Sequence, residues 1–317
     1  RLRRGTVVVV RDESTVQVGL AQDRAVVVTA PPGCGSRGLA RLLTGLRNGA
    51  ALEDAAARAG VADDEMADVA RILVRLADLG HVRLHGLAPR VGPAVPGGDG
   101  RPAPACPPSG EPDAAAGRAR PAPVRRVHLL GAGQISEILR GPLAVNGCRV
   151  NVSTNPGLTL NPDRPPWNRH GRAPDLVILT GSVGVDPVVT GALARARQPH
   201  LHVHCRDGRV VVGPTVLPGL TSCLRCADLF RAQRDPRWPF VAAQLLTLSP
   251  EAGVPALTAA AALVLAEVAA TRHPDAPLQT LGATVEINPA EGLWRRLEWP
   301  AVPGCDCGAT PQGHPLS

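Results

Sequence analysis

The sequence predicts an α/β protein in which a small mixed module precedes a larger domain built on a doubly wound sheet. Strand-like and helical segments alternate in the C-terminal part, which is typical of such sheets. One of these strands runs through a glycine turn directly into a helix. A segment rich in Pro, Ala and Gly separates the two parts. We therefore expect a module at 1–87, a linker at 88–124 and a domain at 125–317.

In the N-terminal module, three β-rich runs come first, and helical periodicity follows. The runs are Thr6–Val10, Thr15–Leu20 and Ala25–Thr29. The third and best marked helix is expected to begin at Asp63 or Asp64 and to end at Gly80. A short strand at 81–84 completes the module. Strands, three short helices and a final strand together favour a winged-helix-like fold.

The C-terminal domain contains the alternating segments. Its predicted strands are Val127–Leu130, Arg149–Ser153, Leu176–Thr180, His200–His204, Val210–Val212, Thr284–Asn288 and Leu293–Glu298. Its predicted helices are Gln134–Asn146, Pro187–Arg197 and Pro255–Thr271. This order predicts a Rossmann-type sheet with helices on both faces.

Four cysteines form two close pairs. Cys223 and Cys226 make a C-x-x-C motif, and Cys305 and Cys307 make a C-x-C motif about eighty residues later. Two such pairs predict one tetrahedral zinc site with four thiolates, which is closed to water and therefore structural. A disulfide pair or four unrelated thiols are the alternatives. The other cysteines are scattered, as in a reducing compartment: Cys34, Cys106, Cys148 and Cys205.

Composition excludes several chemistries. All 34 basic residues are arginine, and tyrosine is absent, so no Schiff-base lysine, phosphate-binding P-loop lysine or tyrosine acid exists. The net charge is +7, but the arginines are spread along the chain and only two Phe and four Trp could stack on bases. We expect no nucleic-acid binding. With neither a signal peptide nor a membrane-length apolar run, a cytoplasmic protein is expected. The chain begins at Arg1, so its natural start stays open.

The glycine turn reads GAGQIS, with Gly131 and Gly133 where backbone amides would approach a nucleotide phosphate. Ser136 takes the place of the third glycine of the dinucleotide motif. No carboxylate follows the second strand until Asp163, although a ribose-binding acid is expected there. The turn is either a mononucleotide site or a vestige that packs helix on strand, and the sequence favours the second interpretation.

Other polar residues have two interpretations each. Asp186 is a candidate metal carboxylate, but a helix cap before Pro187 is favoured. Cys205 is interpreted as a buried thiol, and Trp238 as packing over the zinc knuckle or lining a partner interface. Three histidines alternate on one strand, where they either bind metal or, as we favour, lie on a half-exposed strand: His200, His202 and His204.

The glycine turn and the segments PDLVILTGSVGVDP and GPTVLPGLTSCLRC resemble the ThiF-type superfamily, the bacterial relatives of ubiquitin-activating enzymes, over about residues 125–310. The resemblance implies structural zinc on the four paired cysteines. It also implies ATP and magnesium, because active members adenylate the C-terminus of a small protein or peptide. That chemistry uses an acidic residue after the second strand and a lysine, and both are missing here. No cysteine between Cys226 and Cys305 could form the thioester that some relatives use.

One branch of the superfamily fits better. The N-terminal half resembles the winged-helix-like leader-recognition modules of azoline-forming pathways, and PGLTSCLRCADLFRAQRDPRWP looks like their actinobacterial branch. The resemblance implies a protein that binds a precursor's leader peptide and presents the core to a separate ATP-using cyclodehydratase. It also implies a homodimer. Such a protein needs no catalytic residue of its own.

A leader peptide can add a strand to a sheet edge and lay apolar residues on the third helix. Arg71, Arg75 and Arg83 at the rim would suit an acidic leader, or they lie on a solvated helix face. The first alternative function is an ATP-dependent adenylyltransferase that activates a carrier-protein or peptide C-terminus. The second is a purely structural interaction protein.

Overall fold

The computed structural model describes residues 1–83, 120–154, 159–161, 164–168, 171–273 and 275–310. The chain divides into two compact units. The described part of unit 1 is 1–83 together with Arg206–Gly208, and the other described residues form unit 2.

Unit 1 begins with a three-stranded antiparallel sheet of order β1-β2-β3. Its strands are β1 (Val8–Val10), β2 (Thr15–Val18) and β3 (Val26–Thr29). Three helices follow: α1 (Gly35–Arg47), α2 (Leu52–Ala59) and α3 (Met66–Asp78). The leucines of α1 recur at helical spacing and are buried with the β-branched residues of the sheet, which gives this unit its own core.

The details of unit 1 differ from the sequence prediction at two places. A 3-10 turn at Asp63–Glu65 precedes α3, and the carboxylate that binds backbone amides here is that of Glu65, which accepts from Gly33 and Ala62. The predicted caps Asp63 and Asp64 are therefore wrong. The predicted strand at 81–84 is a single antiparallel bridge between Val82 and Leu2, and residue 84 lies outside the described residues. The winged-helix assignment stays a prediction.

Unit 2 contains a seven-stranded mixed sheet of order β10-β9-β8-β7-β6-β4-β5. Its strands are β4 (Arg126–Leu130), β5 (Arg149–Ser153), β6 (Leu176–Leu179), β7 (His200–Arg206), β8 (Arg209–Val216), β9 (Ala283–Asn288) and β10 (Leu293–Glu298). The first four strands of this sheet in chain order, β4 to β7, pair in parallel, as the alternation predicts. The last three form antiparallel pairs.

Helices cover both faces of this sheet. The helices of unit 2 are α4 (Gln134–Val145), α5 (Pro187–Arg195), α6 (Leu224–Arg234), α7 (Trp238–Leu245) and α8 (Val254–Ala270). Val127 and Leu129 share a core cluster with α4 and α8, whereas Leu130 packs with α5 in a second cluster. Successive strand residues thus serve opposite faces, so the α/β sheet prediction is confirmed and its architecture is consistent with a Rossmann-like fold.

The end of the predicted linker packs on unit 2. Val124 is fully buried in the main core cluster, and the Arg120 guanidinium donates to the backbone carbonyls of Ala270, His273 and Ala276. Residues 84–119, most of the predicted linker, lie outside the described residues. Among the helices described, none combines the length and the apolar character that crossing a membrane requires.

Candidate metal centre and glycine turn

The two cysteine pairs meet in unit 2. Cys223 directly precedes α6 and Cys226 lies in its first turn, while Cys305 and Cys307 belong to the segment after β10. All four sulfur atoms lie within 4.8 Å of one another. The Cys223 sulfur is 3.8 Å from that of Cys226 and 3.6 Å from that of Cys305, and the Cys226 and Cys307 sulfurs are 3.6 Å apart.

These separations fit a tetrahedral metal site. Four sulfurs at about 2.3 Å from a zinc ion lie about 3.8 Å from one another. A disulfide would need about 2.0 Å between two sulfurs, and all four thiols are free. The convergence also excludes four unrelated thiols. The site can hold one metal ion and, with all four positions filled by sulfur, would leave none for water or substrate.

Hydrogen bonding within the cluster shifts the pKa values of its thiols in opposite directions. The Cys223 thiol donates to the Cys226 sulfur, which lowers the pKa of Cys226 and raises that of Cys223. Burial raises the pKa of Cys305 to about 11. A bound cation would remove the remaining thiol protons, because thiolates are the species that ligate metal.

Aromatic side chains pack beside the cysteines. Trp299 makes an edge-to-face contact with Phe230, with 6.0 Å between ring centroids, and its indole N–H donates to the Thr284 hydroxyl. The Arg231 guanidinium lies 4.3 Å from the centroid of Trp299 and 4.9 Å from that of Trp238. Trp299 was missed by the sequence reasoning, although its position six residues before Cys305 is a usable signal.

The glycine turn joins β4 to α4. Gly131 and Gly133 have φ values of +135° and +106°, which favour glycine. A Cβ atom at Gly131 would lie 2.1 Å from the carbonyl oxygen of Thr180, but one at Gly133 would have no neighbour within 4 Å. Gly131 is therefore required by packing, whereas Gly133 is required only by backbone conformation.

Ser136 is buried and its hydroxyl is used inside the protein. Its Oγ donates to the Gly131 carbonyl at 3.0 Å and lies 2.6 Å from the Thr180 hydroxyl, which can donate in return. The residue that replaces the third glycine thus joins the turn to the end of β6. These bonds hold the start of α4 against the end of β6.

The structure places Asp186, the candidate metal carboxylate, and the nearby strand-edge carboxylate of Asp175 in structural roles. Asp186 caps α5 by accepting from the Val188 amide at 2.8 Å. Asp175 accepts from the amides of Arg125 and Arg126 and pairs with the Arg126 guanidinium at 2.7 Å.

The histidine row on β7 is buried, so the expectation of a half-exposed strand is wrong. His200, His202 and His204 are 3%, 5% and 7% exposed, because α/β layers cover both faces of this strand. Burial lowers the pKa of His200 and His202 to about 4. Among the described residues, the four cysteines are the one metal-type cluster, and it includes no histidine. Cys205 is buried, and burial raises its pKa to about 12, as expected for an inert thiol.

The three arginines predicted at a peptide groove are exposed in unit 1. Arg71 and Arg75 lie one turn apart on the solvent face of α3, beside Val74, which is 51% exposed. Arg71 also pairs with Asp68 one turn earlier. Arg83 follows the β-bridge between Leu2 and Val82, and its backbone is hydrogen-bonded to that of Arg1.

No protein-family model matches the chain, and no curated protein matches it. Among solved structures, it is similar to the microcin C7 biosynthetic enzyme MccB in complex with N-formylated MccA, at 13% identity and a TM-score of 0.44, over 97% of this chain and 99% of that one. It is similar to the heterocyclase TruD at 16% identity and a TM-score of 0.41, over 98% of this chain and 42% of that chain.

A chain of the E. coli microcin synthetase McbBCD complex is also similar, at 10% identity and a TM-score of 0.42, over 96% of this chain and 99% of that one. These three solved structures are a microcin enzyme, a heterocyclase and a chain of a microcin synthetase complex. The likeness is distant, so function has to be inferred from the residues of this chain.

Proposed function

We propose that the chain is a leader-peptide-binding, non-catalytic component of a peptide cyclodehydratase system of the azoline-forming, bacteriocin type. In this proposal, unit 1 captures the leader of a precursor peptide, and a separate ATP-using cyclodehydratase acts on the core of that peptide. The observation that carries the proposal is the solvent face of α3, where an exposed Val74 lies beside Arg71 and Arg75.

The surface of unit 1 suits an extended peptide. Within the described residues, β1 and β3 are the outer strands of the three-stranded sheet, and an added strand would pair with one of them. Added strands gain affinity from backbone hydrogen bonds and selectivity from side-chain contacts. On α3, the two guanidinium groups can pair with acidic residues of a leader while Val74 contacts an apolar one.

Unit 2 supports the non-catalytic part of the proposal. The Ser136 hydroxyl at the glycine turn is hydrogen-bonded to Gly131 and Thr180. The Asp186 carboxylate caps α5. The chain has no lysine for the phosphates of ATP. We therefore assign Gly131, Gly133 and Ser136 to packing and no residue to catalysis.

We further propose that the four cysteines hold structural zinc. The donor set is all sulfur and the separations fit a tetrahedron, both of which zinc favours. When bound, the ion would supply folding free energy by joining the segment after β10 to the start of α6. Cys226, the most buried of the four ligands, lies at the centre of this junction.

Peptide binding to unit 1 can be tested by fluorescence anisotropy, with labelled peptides encoded by short reading frames beside the gene of this chain. The double variant Arg71→Glu/Arg75→Glu should weaken binding by about tenfold or more, because two attractive contacts become repulsive. Val74→Asp should weaken it as well. The control Arg37→Glu/Arg41→Glu changes two exposed arginines of α1 and should stay within about twofold of wild type. Equal weakening by control and test variants would contradict the proposal.

The alternative function, an ATP-dependent adenylyltransferase, is favoured by one observation. Gly133 is exposed, and the space around its Cβ position is open, so a phosphate has room to approach this amide. Arginines alone would then have to neutralise the phosphates. Exchange of labelled pyrophosphate into ATP, with magnesium and the bound peptide present, distinguishes this function from peptide capture.

A further inference from the structure

An open cleft of about 640 Å³ lies at the edge of unit 2 where the parallel strands begin. Four arginines and one carboxylate dominate its lining: Arg125, Arg126, Arg149, Arg172 and Asp175. Arg126 is the first residue of β4, Arg149 is the first of β5, and Asp175 directly precedes β6. Parallel neighbours start at the same edge, so the topology brings these charges together.

The arrangement brings several positive charges close together at this edge of the sheet. Arg126 and Arg149 are direct partners in the register between β4 and β5, and like charges placed opposite each other destabilise a sheet. Asp175 compensates one of them by pairing with Arg126. Within the part of the chain that the structure describes, no carboxylate pairs with Arg125, Arg149 or Arg172, and all three are exposed. The cleft therefore offers three guanidinium groups to an anion from outside.

The cleft is separate from the glycine turn. β4 begins at the cleft with Arg126 and ends before Gly131, and five strand residues span about 16 Å. A ligand in the cleft thus lies at the opposite end of the strands from a nucleotide at the turn. The α3 surface belongs to unit 1, whereas the cleft is lined by residues of unit 2.

We propose that the arginine cleft binds an acidic segment of a polypeptide. Guanidinium groups pair with carboxylates through two parallel hydrogen bonds, and several carboxylates along a peptide can engage several arginines at once. No aromatic side chain is among the lining residues described, so the stacking platforms of single-stranded nucleic-acid sites are missing. The proposal does not depend on leader capture by unit 1.

The test uses the full chain and fluorescein-labelled oligoglutamate, measured by anisotropy at low and moderate salt. Arg149→Glu/Arg172→Glu should weaken binding by about tenfold or more, and Arg149→Gln/Arg172→Gln should weaken it less. The control Arg37→Glu/Arg41→Glu makes the same change in net charge on α1 and should stay within about twofold of wild type. Circular dichroism confirms that each variant is folded.

Three results would overturn the proposal. The first is no binding of oligoglutamate to the wild-type chain. The second is equal weakening by the cleft and control variants, which indicates attraction to net charge alone. The third is cleft-dependent binding of oligouridylate or tripolyphosphate that oligoglutamate fails to displace, because the cleft would then select phosphates. Loss of leader binding in the α3 variants alone tests the proposed function and leaves this inference untouched.

Discussion

At the cysteine cluster, four sulfur atoms from two distant segments lie within 4.8 Å of one another. At the glycine turn, the Ser136 hydroxyl faces inward and bonds to Gly131 and Thr180. Both regions belong to unit 2, and both have a spacing that is typical of a binding site. The difference shows that the spacing of a motif is less informative than where its polar atoms go. Donor atoms that converge can hold a ligand, whereas hydroxyls that bond to the backbone and to a neighbouring side chain contribute to packing.

The largest effect should come from removing one sulfur at the cluster. Cys226→Ser should abolish binding of one zinc per chain and lower the free energy of unfolding by about 4 kcal/mol or more, because the metal's folding energy is lost. Metal analysis and thermal denaturation measure the two effects. Cys34→Ser, at a partly buried thiol outside the cluster, should keep the zinc and cost about 1 kcal/mol or less. Retention of zinc by Cys226→Ser would contradict the assignment.

Stability measured at acid pH should show whether the histidines of β7 are buried neutral groups or metal ligands. The pKa of His200 is about 4 in the folded chain against 6.5 for the free group, so the unfolded chain takes up protons first as pH falls. Stability should be constant above about pH 6.5 and fall toward pH 4 by about 1.4 kcal/mol per pH unit for each histidine. His202 has the same direction and cause.

Urea unfolding across this pH range measures the slope. His200→Gln removes one titrating group and should flatten the slope by about a third to a half. Metal content is followed in parallel, because protonation of the cysteines also releases metal at low pH. An unchanged slope in His200→Gln would show that acid acts elsewhere.

The two glycines of the turn should respond unequally. Gly131→Ala should lower the free energy of unfolding by about 3 kcal/mol, because its Cβ would lie 2.1 Å from the Thr180 carbonyl oxygen. Gly133→Ala meets no neighbour within 4 Å and should cost about 1–2 kcal/mol, because φ +106° and ψ −171° is a conformation that essentially only glycine adopts. Equal costs at the two positions, measured by chemical denaturation, would show that packing against Thr180 does not fix the turn.

The smallest effect should come from Ser136. Ser136→Ala removes the bonds to Gly131 and Thr180 and should cost about 1 kcal/mol of stability. Peptide binding should stay unchanged. Thr180→Val is the matched variant, and the double variant should cost less than the sum of the two single ones, because each removes a partner of the other. Additive costs would show that the two hydroxyls do not interact.

Local signals in the sequence were enough to predict many of the strands and the paired cysteines of unit 2. Runs of apolar residues predicted β4 and β6, and the spacing of Cys223 and Cys226 predicted a metal pair. These features depend on residues close together in the chain. The order of the strands and the burial of the histidine row depend on layers that pack from far away. Both faces of β7 are covered, so alternation of His with Leu201 and Val203 did not mark a solvent face.

The parts that sequence reasoning missed are assembled from distant residues. Trp299 reaches Phe230 only because the segment after β10 packs against α6, and the arginine cleft forms only where the starts of three strands meet. Glu65 caps backbone amides 32 residues away at Gly33, which no local pattern shows. Zinc, peptide capture and the winged-helix assignment remain predictions.

The central claim is that this chain captures a peptide and leaves activation by ATP to a partner. Pyrophosphate exchange on the zinc-loaded chain, with ATP, magnesium and a peptide that binds unit 1, tests it most directly. We predict exchange no faster than with ATP and magnesium alone. Exchange that requires the chain and the peptide, and that Gly133→Ala abolishes, would contradict the claim and establish the glycine turn as an adenylation site.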